Sequence, residues 1–250
     1  STVSIVAEVF AQMANTDKGR AFLTENASVS GALHKLVEHS SPSVRAAASV
    51  ALTKIEAVHF DSETEQGLTV LSSLATLLSK DATPEEIKRG LEAVSFIIAD
   101  TDVKMMVATG PEGKRILHSL CDSARAKGST LAGESALALA YIFANLTMDE
   151  DDKKREKLRE MEVTQEQWEK FEEMTKQKSR PGNSRKDSPE EVGVRVDAVV
   201  EAGGVPALRT LVMAQNVTAN VAANAAKALL NMSGVSRLRG QMRSEERRVG

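Results

Sequence analysis

The sequence predicts an all-α fold, a right-handed superhelical solenoid of stacked helical repeats. Three observations predict it. First, a short apolar–small–polar phrase returns at nearly even intervals: Phe10-Ala11-Gln12-Met13, Leu52-Thr53-Lys54-Ile55, Ile97-Ile98-Ala99-Asp100, Phe143-Ala144-Asn145-Leu146 and Leu229-Leu230-Asn231-Met232. The first residues of these phrases lie 42, 45, 46 and 86 residues apart, the last step spanning two repeats. Second, alanine crowds the segments that lead into the phrases: Ala46, Ala47, Ala48 and Ala51; Ala136, Ala138 and Ala140; Ala222, Ala223, Ala225, Ala226 and Ala228. Small side chains let one helix lie close to its neighbours. Third, the chain is 42% hydrophobic but only 3% aromatic, a mix carried by Ala and Leu that favours helix over strand.

A period of about 40–47 residues marks armadillo- or HEAT-like repeats, and the helix boundaries fit such units. Ala32, Leu33, Leu36 and Val37 make a short apolar helix. Ser41-Pro42 then starts an alanine-rich third helix. Leu71, Leu74, Leu77 and Leu78 make the next short helix. Thr83-Pro84-Glu85-Glu86 places Thr at an N-cap, Pro at N1 and Glu at N3, a capping box. The stripe Ile87, Leu91, Val94 and Ile98 follows it at helical spacing. Ile116, Leu117 and Leu120 form a third short helix. Ser188-Pro189-Glu190-Glu191 repeats the capping box. In Gly203-Gly204-Val205-Pro206-Ala207-Leu208 the glycines end one helix and the proline begins another. Leu229 shares a phrase position with Leu52 and Phe143 and is expected to be buried as they are.

The rhythm divides the chain into residues 1–147, an armadillo-like domain; 148–191, a charged insert; 192–242, a second run of repeats; and 243–250, a tail without apolar period. The insert opens Asp149-Glu150-Asp151-Asp152-Lys153-Lys154-Arg155. Inside it Thr164 can cap a helix, with Val163 and Trp168 placed as a hydrophobic staple. Trp168, Phe171 and Met174 share a helical face, read as docking on the solenoid's own surface. The stretch from Arg180 to Asp187 reads as a solvated loop. The tail matches a common translation of sequencing-adapter DNA and is read as non-native. The start at Ser1 reads as a cut end, since it enters a helical pattern directly.

Several function classes find no support. A net charge of −3 argues against general nucleic-acid binding, which needs a basic surface. No apolar run approaches the roughly 18 residues of a membrane span. The single cysteine, Cys121, allows no internal disulfide and reads as a buried structural thiol in a reducing, cytoplasmic setting. His34, His39, His59 and His118 have no cysteine or carboxylate at metal-site spacing, so no metal is expected. Thr109-Gly110-Pro111-Glu112-Gly113-Lys114 resembles a phosphate loop only superficially. It lacks the glycine spacing and the Ser/Thr after Lys, and reads as a helix-ending turn. No catalytic constellation and no cofactor site are expected.

The polar residues inside the phrases are the binding candidates. Gln12, Lys54, Asn145 and Asn231, with Asp100 beside them, fall at nearly equivalent places on successive third helices. There an amide can bond the backbone of an extended ligand. The alternative is that each ties its own helix end.

Some phrases go further. Asn145-Leu146-Thr147, then a charged insert, then Val200-Glu201-Ala202-Gly203-Gly204-Val205-Pro206-Ala207-Leu208 resemble the junction between the central domain and the start of the UCS domain in UCS-family myosin chaperones of fungal type. The resemblance spans nearly all of residues 1–242. It implies a cytoplasmic chaperone without an ATPase, one that binds the myosin motor domain, supports actomyosin assembly and works beside an Hsp90-type chaperone. A generic armadillo adaptor binding an extended peptide is the competing expectation.

Overall fold

The computed structural model describes residues 2–56, 65–127, 133–149, 164, 166, 187–214 and 217–235. The expected docking face Trp168, Phe171 and Met174 lies outside the described residues, as do residues 180–186 and the tail 243–250. The described helices are α1 (Thr2–Met13), α2 (Asp17–Glu25), α3 (Ala27–Leu36), α4 (Pro42–Glu56), α5 (Glu65–Leu77), α6 (Pro84–Ile97), α7 (Thr101–Thr109), α8 (Pro111–Lys127), α9 (Gly133–Thr147), α10 (Pro189–Glu201), α11 (Gly204–Val212) and α12 (Ala219–Gly234). No strand occurs among the described residues.

Local chemistry sets the boundaries. Thr83 accepts from the Glu86 N–H and Glu86 accepts from the Thr83 N–H (2.9 Å), so the expected capping box opens α6. Ser188 and Glu191 do the same for α10. Gly110 ends α7 and Pro111 starts α8. A Cβ on Gly113 would stand 2.0 Å from the Met106 carbonyl, so this glycine serves close helix packing and not phosphate. Gly203 adopts φ +89° and turns the chain from α10 into α11, a conformation glycine takes without steric cost.

The helices pack in rows. α1, α4, α6, α9 and α12 carry the five phrases, and each packs on the next. α5, α8 and α11 form a second row behind them, α7 and α10 pack together as first helices, and α2 and α3 complete the first repeat against α4. The chain is therefore an all-α solenoid of armadillo type, with a continuous core running between the rows. Alanines Ala46, Ala47, Ala48, Ala51, Ala140 and Ala144 are all buried in the third-helix row, where small residues permit close approach. Leu52, Ile97 and Phe143 fill the space behind them.

Two expectations are corrected. Leu229 is half-buried, unlike its counterparts Leu52 and Phe143. Its helix, α12, has a third-helix neighbour on one side only among the described residues, so less surface covers it. Asp187, read as the end of a solvated loop, has a fully buried side chain. It anchors the start of α10, as described next.

Cys121 is fully buried on α8, and burial pushes its thiol up to about 12. The thiolate is the reactive form. At about pH 8 a thiol reagent should therefore label Cys121 only as the protein unfolds, at a rate that follows unfolding. Labelling of native protein as fast as in strong denaturant would contradict this burial.

Candidate functional site

The third-helix row offers one broad face. Arg89 on α6 reaches past α4 to Glu8 on α1 at 2.8 Å, so side chains from helices two places apart in the row meet over it.

At the α1–α4–α6 end, this face is filled by its own side chains. Lys54, buried on α4, donates to Asn15 Oδ1 and to Glu92 Oε1, each at 2.5 Å. Its ammonium also lies 5.8 Å from the Phe96 ring centroid, and the Arg20 guanidinium 5.5 Å from the same ring. Arg89 pairs with Glu85 and Glu92 as well as Glu8. Burial alone would raise the Glu8 carboxyl, but hydrogen bonds from Gln12 and Arg89, with the Arg89 charge, hold it below its ordinary value.

The four predicted groove residues fall into two pairs. Gln12, exposed on α1, donates to Glu8 at 3.1 Å and accepts from Asn15 at 3.3 Å. Lys54 shares that Asn15. Asn145, buried on α9, donates to the Tyr141 carbonyl one turn back at 3.0 Å. Asn231 on α12 reaches Thr147 Oγ1 at 3.5 Å. Asp100 is not part of this face. It caps α7, accepting from Asp102 N–H and Val103 N–H at 2.8 and 3.2 Å, and Ala99 occupies the phrase position.

The face stays open between α6 and α9. A groove of about 450 Å3 lies there. Leu91, Leu137, Ala138 and Tyr141 give it an apolar lining, while Lys88, Glu92 and Glu134 stand at its rim. Leu137 and Tyr141 are more than a third exposed. Lys88 and Glu134 pair across the rim at 3.0 Å. Glu134 raises the Lys88 ammonium by hydrogen bond and charge, but this exposed pair opens at little cost.

A second cluster escaped the sequence reading. Arg195 on α10 is fully buried. It forks onto Asp187 at 2.9 and 3.1 Å and donates to the carbonyls of Leu146 and Met148 at 3.0 and 3.1 Å. Lys104 on α7, also fully buried, donates to Asp187 at 2.8 Å. Burial alone would raise the Asp187 carboxyl, but the hydrogen bonds and charges of Lys104 and Arg195 hold it below its ordinary value. The cluster caps the carbonyl end of α9, where a cation is favoured. It also binds Met148 and Asp187 to one guanidinium, so the two ends of the charged insert are held together. The signal was present in sequence: Arg195 interrupts an apolar stripe, Val192, Val196 and Val199.

Among the described residues no group of three or more His, Cys, Asp or Glu could hold a metal ion, and no helix is long and apolar enough to cross a membrane. His39 Nδ1 accepts from the Ser41 N–H at 3.0 Å, a turn contact before α4.

No protein-family model matches the chain, and no curated protein matches it. Among solved structures, it is similar to a designed armadillo repeat protein in complex with the peptide (KR)4, at 21% identity and TM-score 0.45, covering 90% of this chain and 91% of that one. It is also similar to computationally designed armadillo repeat proteins for modular peptide recognition, at 20% identity and TM-score 0.42, covering 90% and 91%. A further designed armadillo repeat protein aligns at 19% identity and TM-score 0.39, covering 92% of each chain.

Proposed function

We infer that the chain is a binding scaffold whose third-helix face takes an extended peptide segment, with the α6–α9 groove as its main contact. The observation that carries this reading is the groove itself: an apolar lining within a charged rim on the third-helix face, whose α1–α4–α6 end is already filled by the protein's own ion pairs. One bulky apolar side chain of the ligand enters beside Tyr141 and Leu137, and the rim carboxylates Glu92 and Glu134 take a neighbouring basic residue. Asn145 and Asn231, farther along the face, are the candidates for holding ligand backbone. Gln12 and Lys54 are engaged within the protein and contribute less.

A narrower reading makes the ligand a segment of a myosin motor domain and the protein its chaperone. It rests on the resemblance in Asn145–Thr147 and Glu201–Leu208 alone. One experiment addresses both. Peptides selected on the chain from a random library should share a bulky apolar residue, and Leu137→Asp should weaken them about tenfold or more without lowering the unfolding midpoint. Unchanged binding by the variant would remove the groove from the proposal. In a thermal aggregation assay of a myosin motor domain, protection greater than that given by an unrelated armadillo protein would support the narrower reading, and equal protection would dismiss it.

A further inference from the structure

The α6–α9 groove has one charged end. Lys88 on α6 and Glu134 on α9 meet there at 3.0 Å. From this pair each helix continues for two turns along the groove, to Ser95 on α6 and to Tyr141 on α9. That is about 10 Å of lining, apolar at Leu91, Leu137 and Ala138. Glu134 is the only charged side chain in the α9 sequence. On α6 the other charges are matched within the protein. Glu92 takes Lys54 at 2.5 Å and faces Arg89 at 3.5 Å, and Glu85 lies 3.3 Å from Arg89. Of the two rim carboxylates, Glu92 is therefore offset by two cations of the protein itself, and Glu134 is answered only across the groove, by Lys88.

The Lys88 and Glu134 side chains are 50% and 81% exposed, and such a pair contributes little in water. A bound ligand changes the balance. A peptide seated on Leu91, Leu137 and Tyr141 covers this end and removes water from it, and an ionic group left there without a partner is costly. We propose that the groove's ligand is a segment in which a bulky apolar residue has an acidic residue on one side and a basic residue on the other, and that Lys88 and Glu134 release each other to take these two charges. The inference rests on the reading of the groove as a peptide site and states which peptides it takes. Alternate side chains of an extended segment point the same way, so the two charges belong two positions before and two positions after the apolar residue. A segment with like charges on both sides sets one of them against a rim group of its own sign, which discriminates against it.

A peptide library with tryptophan fixed at its centre and all other positions random tests this. It is selected on the wild-type chain, on Lys88→Glu, on Glu134→Lys and on the variant carrying both exchanges. The wild type should enrich opposite charges on the two sides of the tryptophan. Lys88→Glu leaves two carboxylates at the rim and should enrich basic residues on both sides; Glu134→Lys should enrich acidic residues on both. The double exchange again presents one charge of each sign and should restore the selection of opposite charges. Labelled peptides selected on the wild type should bind each single variant about fivefold or more weakly by fluorescence anisotropy. Both positions are exposed, and a cooperative thermal transition verifies that each variant folds. The same flanking residues on all four proteins, or neutral ones on the wild type, would overturn the proposal. The groove itself is tested apart by Leu137→Asp. If that change weakens the selected peptides while their flanks show no charge preference, the groove stands and the exchange of partners falls. Selected peptides indifferent to Leu137→Asp would remove the groove, and this inference with it.

Discussion

Arg195→Ala should destabilise the protein by about 3–5 kcal/mol, the cost of leaving buried charges without their partner. The change strands the Asp187 carboxylate with Lys104 alone and frees the carbonyls of Leu146 and Met148 at the end of α9. Urea unfolding followed by circular dichroism measures it. Replacing Lys104, Asp187 and Arg195 together by apolar residues of similar size should cost far less than the single change, because the penalty lies in the unpaired charge and not in the lost attraction. A loss under about 1 kcal/mol in Arg195→Ala would mean that water enters the cluster and the burial is incomplete. The pH dependence has a definite sign. Asp187 is held below its ordinary value of 3.8, so its contribution is fully present above that value and disappears as the pH falls through the lower folded-state value. Asp187→Asn should be less stable at neutral pH and lose less of its remaining stability on acidification.

Phe143→Ala should cost about 3–5 kcal/mol, the range for a fully enclosed aromatic side chain whose loss leaves a cavity. Phe143 is completely buried inside the row, with α6 on one side and α12 on the other. The same phrase position on α12 should respond much less. Leu229→Ala should cost below about 2 kcal/mol, since the side chain is half-buried and its site can relax. Leu230→Ala should stay within about 0.5 kcal/mol, as expected of an exposed position. These three values, measured under one set of conditions at low protein concentration, give a gradient from an enclosed helix, α9, to the less covered α12. Equal losses at Phe143 and Leu229 would show that α12 is covered on both sides.

The solenoid was legible in the sequence because its determinants are local and repeated. The return of the Phe10, Leu52, Ile97, Phe143 and Leu229 phrases encodes a row of like helices. Thr83 with Glu86 and Ser188 with Glu191 encode helix starts within four residues of chain. Gly203 encodes a turn that other residues resist. The apparent phosphate loop near Gly110 was also resolved by local rules, as a helix boundary. The polar phrase residues were legible in position but not in engagement. Nothing in the sequence near Lys54 shows that it meets Glu92, 38 residues away, or Asn15, 39 residues away. Asp100 was placed one residue off because a phrase ending and a helix cap overlap there.

By itself, then, the sequence determined the repeat period, the helix ends and the small-residue faces, all of which depend on neighbours within one or two turns. Only the tertiary structure decided three other matters. It showed which part of the third-helix face is closed by the protein's own ion pairs and which part, between α6 and α9, stays open. It joined Lys104, Asp187 and Arg195 into one buried cluster that holds the ends of the insert together. It left Leu229 half-buried on α12 although its phrase counterparts Leu52 and Phe143 are enclosed. The physical reason is common to all three. Burial and pairing depend on which helix lies alongside, and charged side chains from repeats far apart in sequence meet only once the helices stack and bring them within reach.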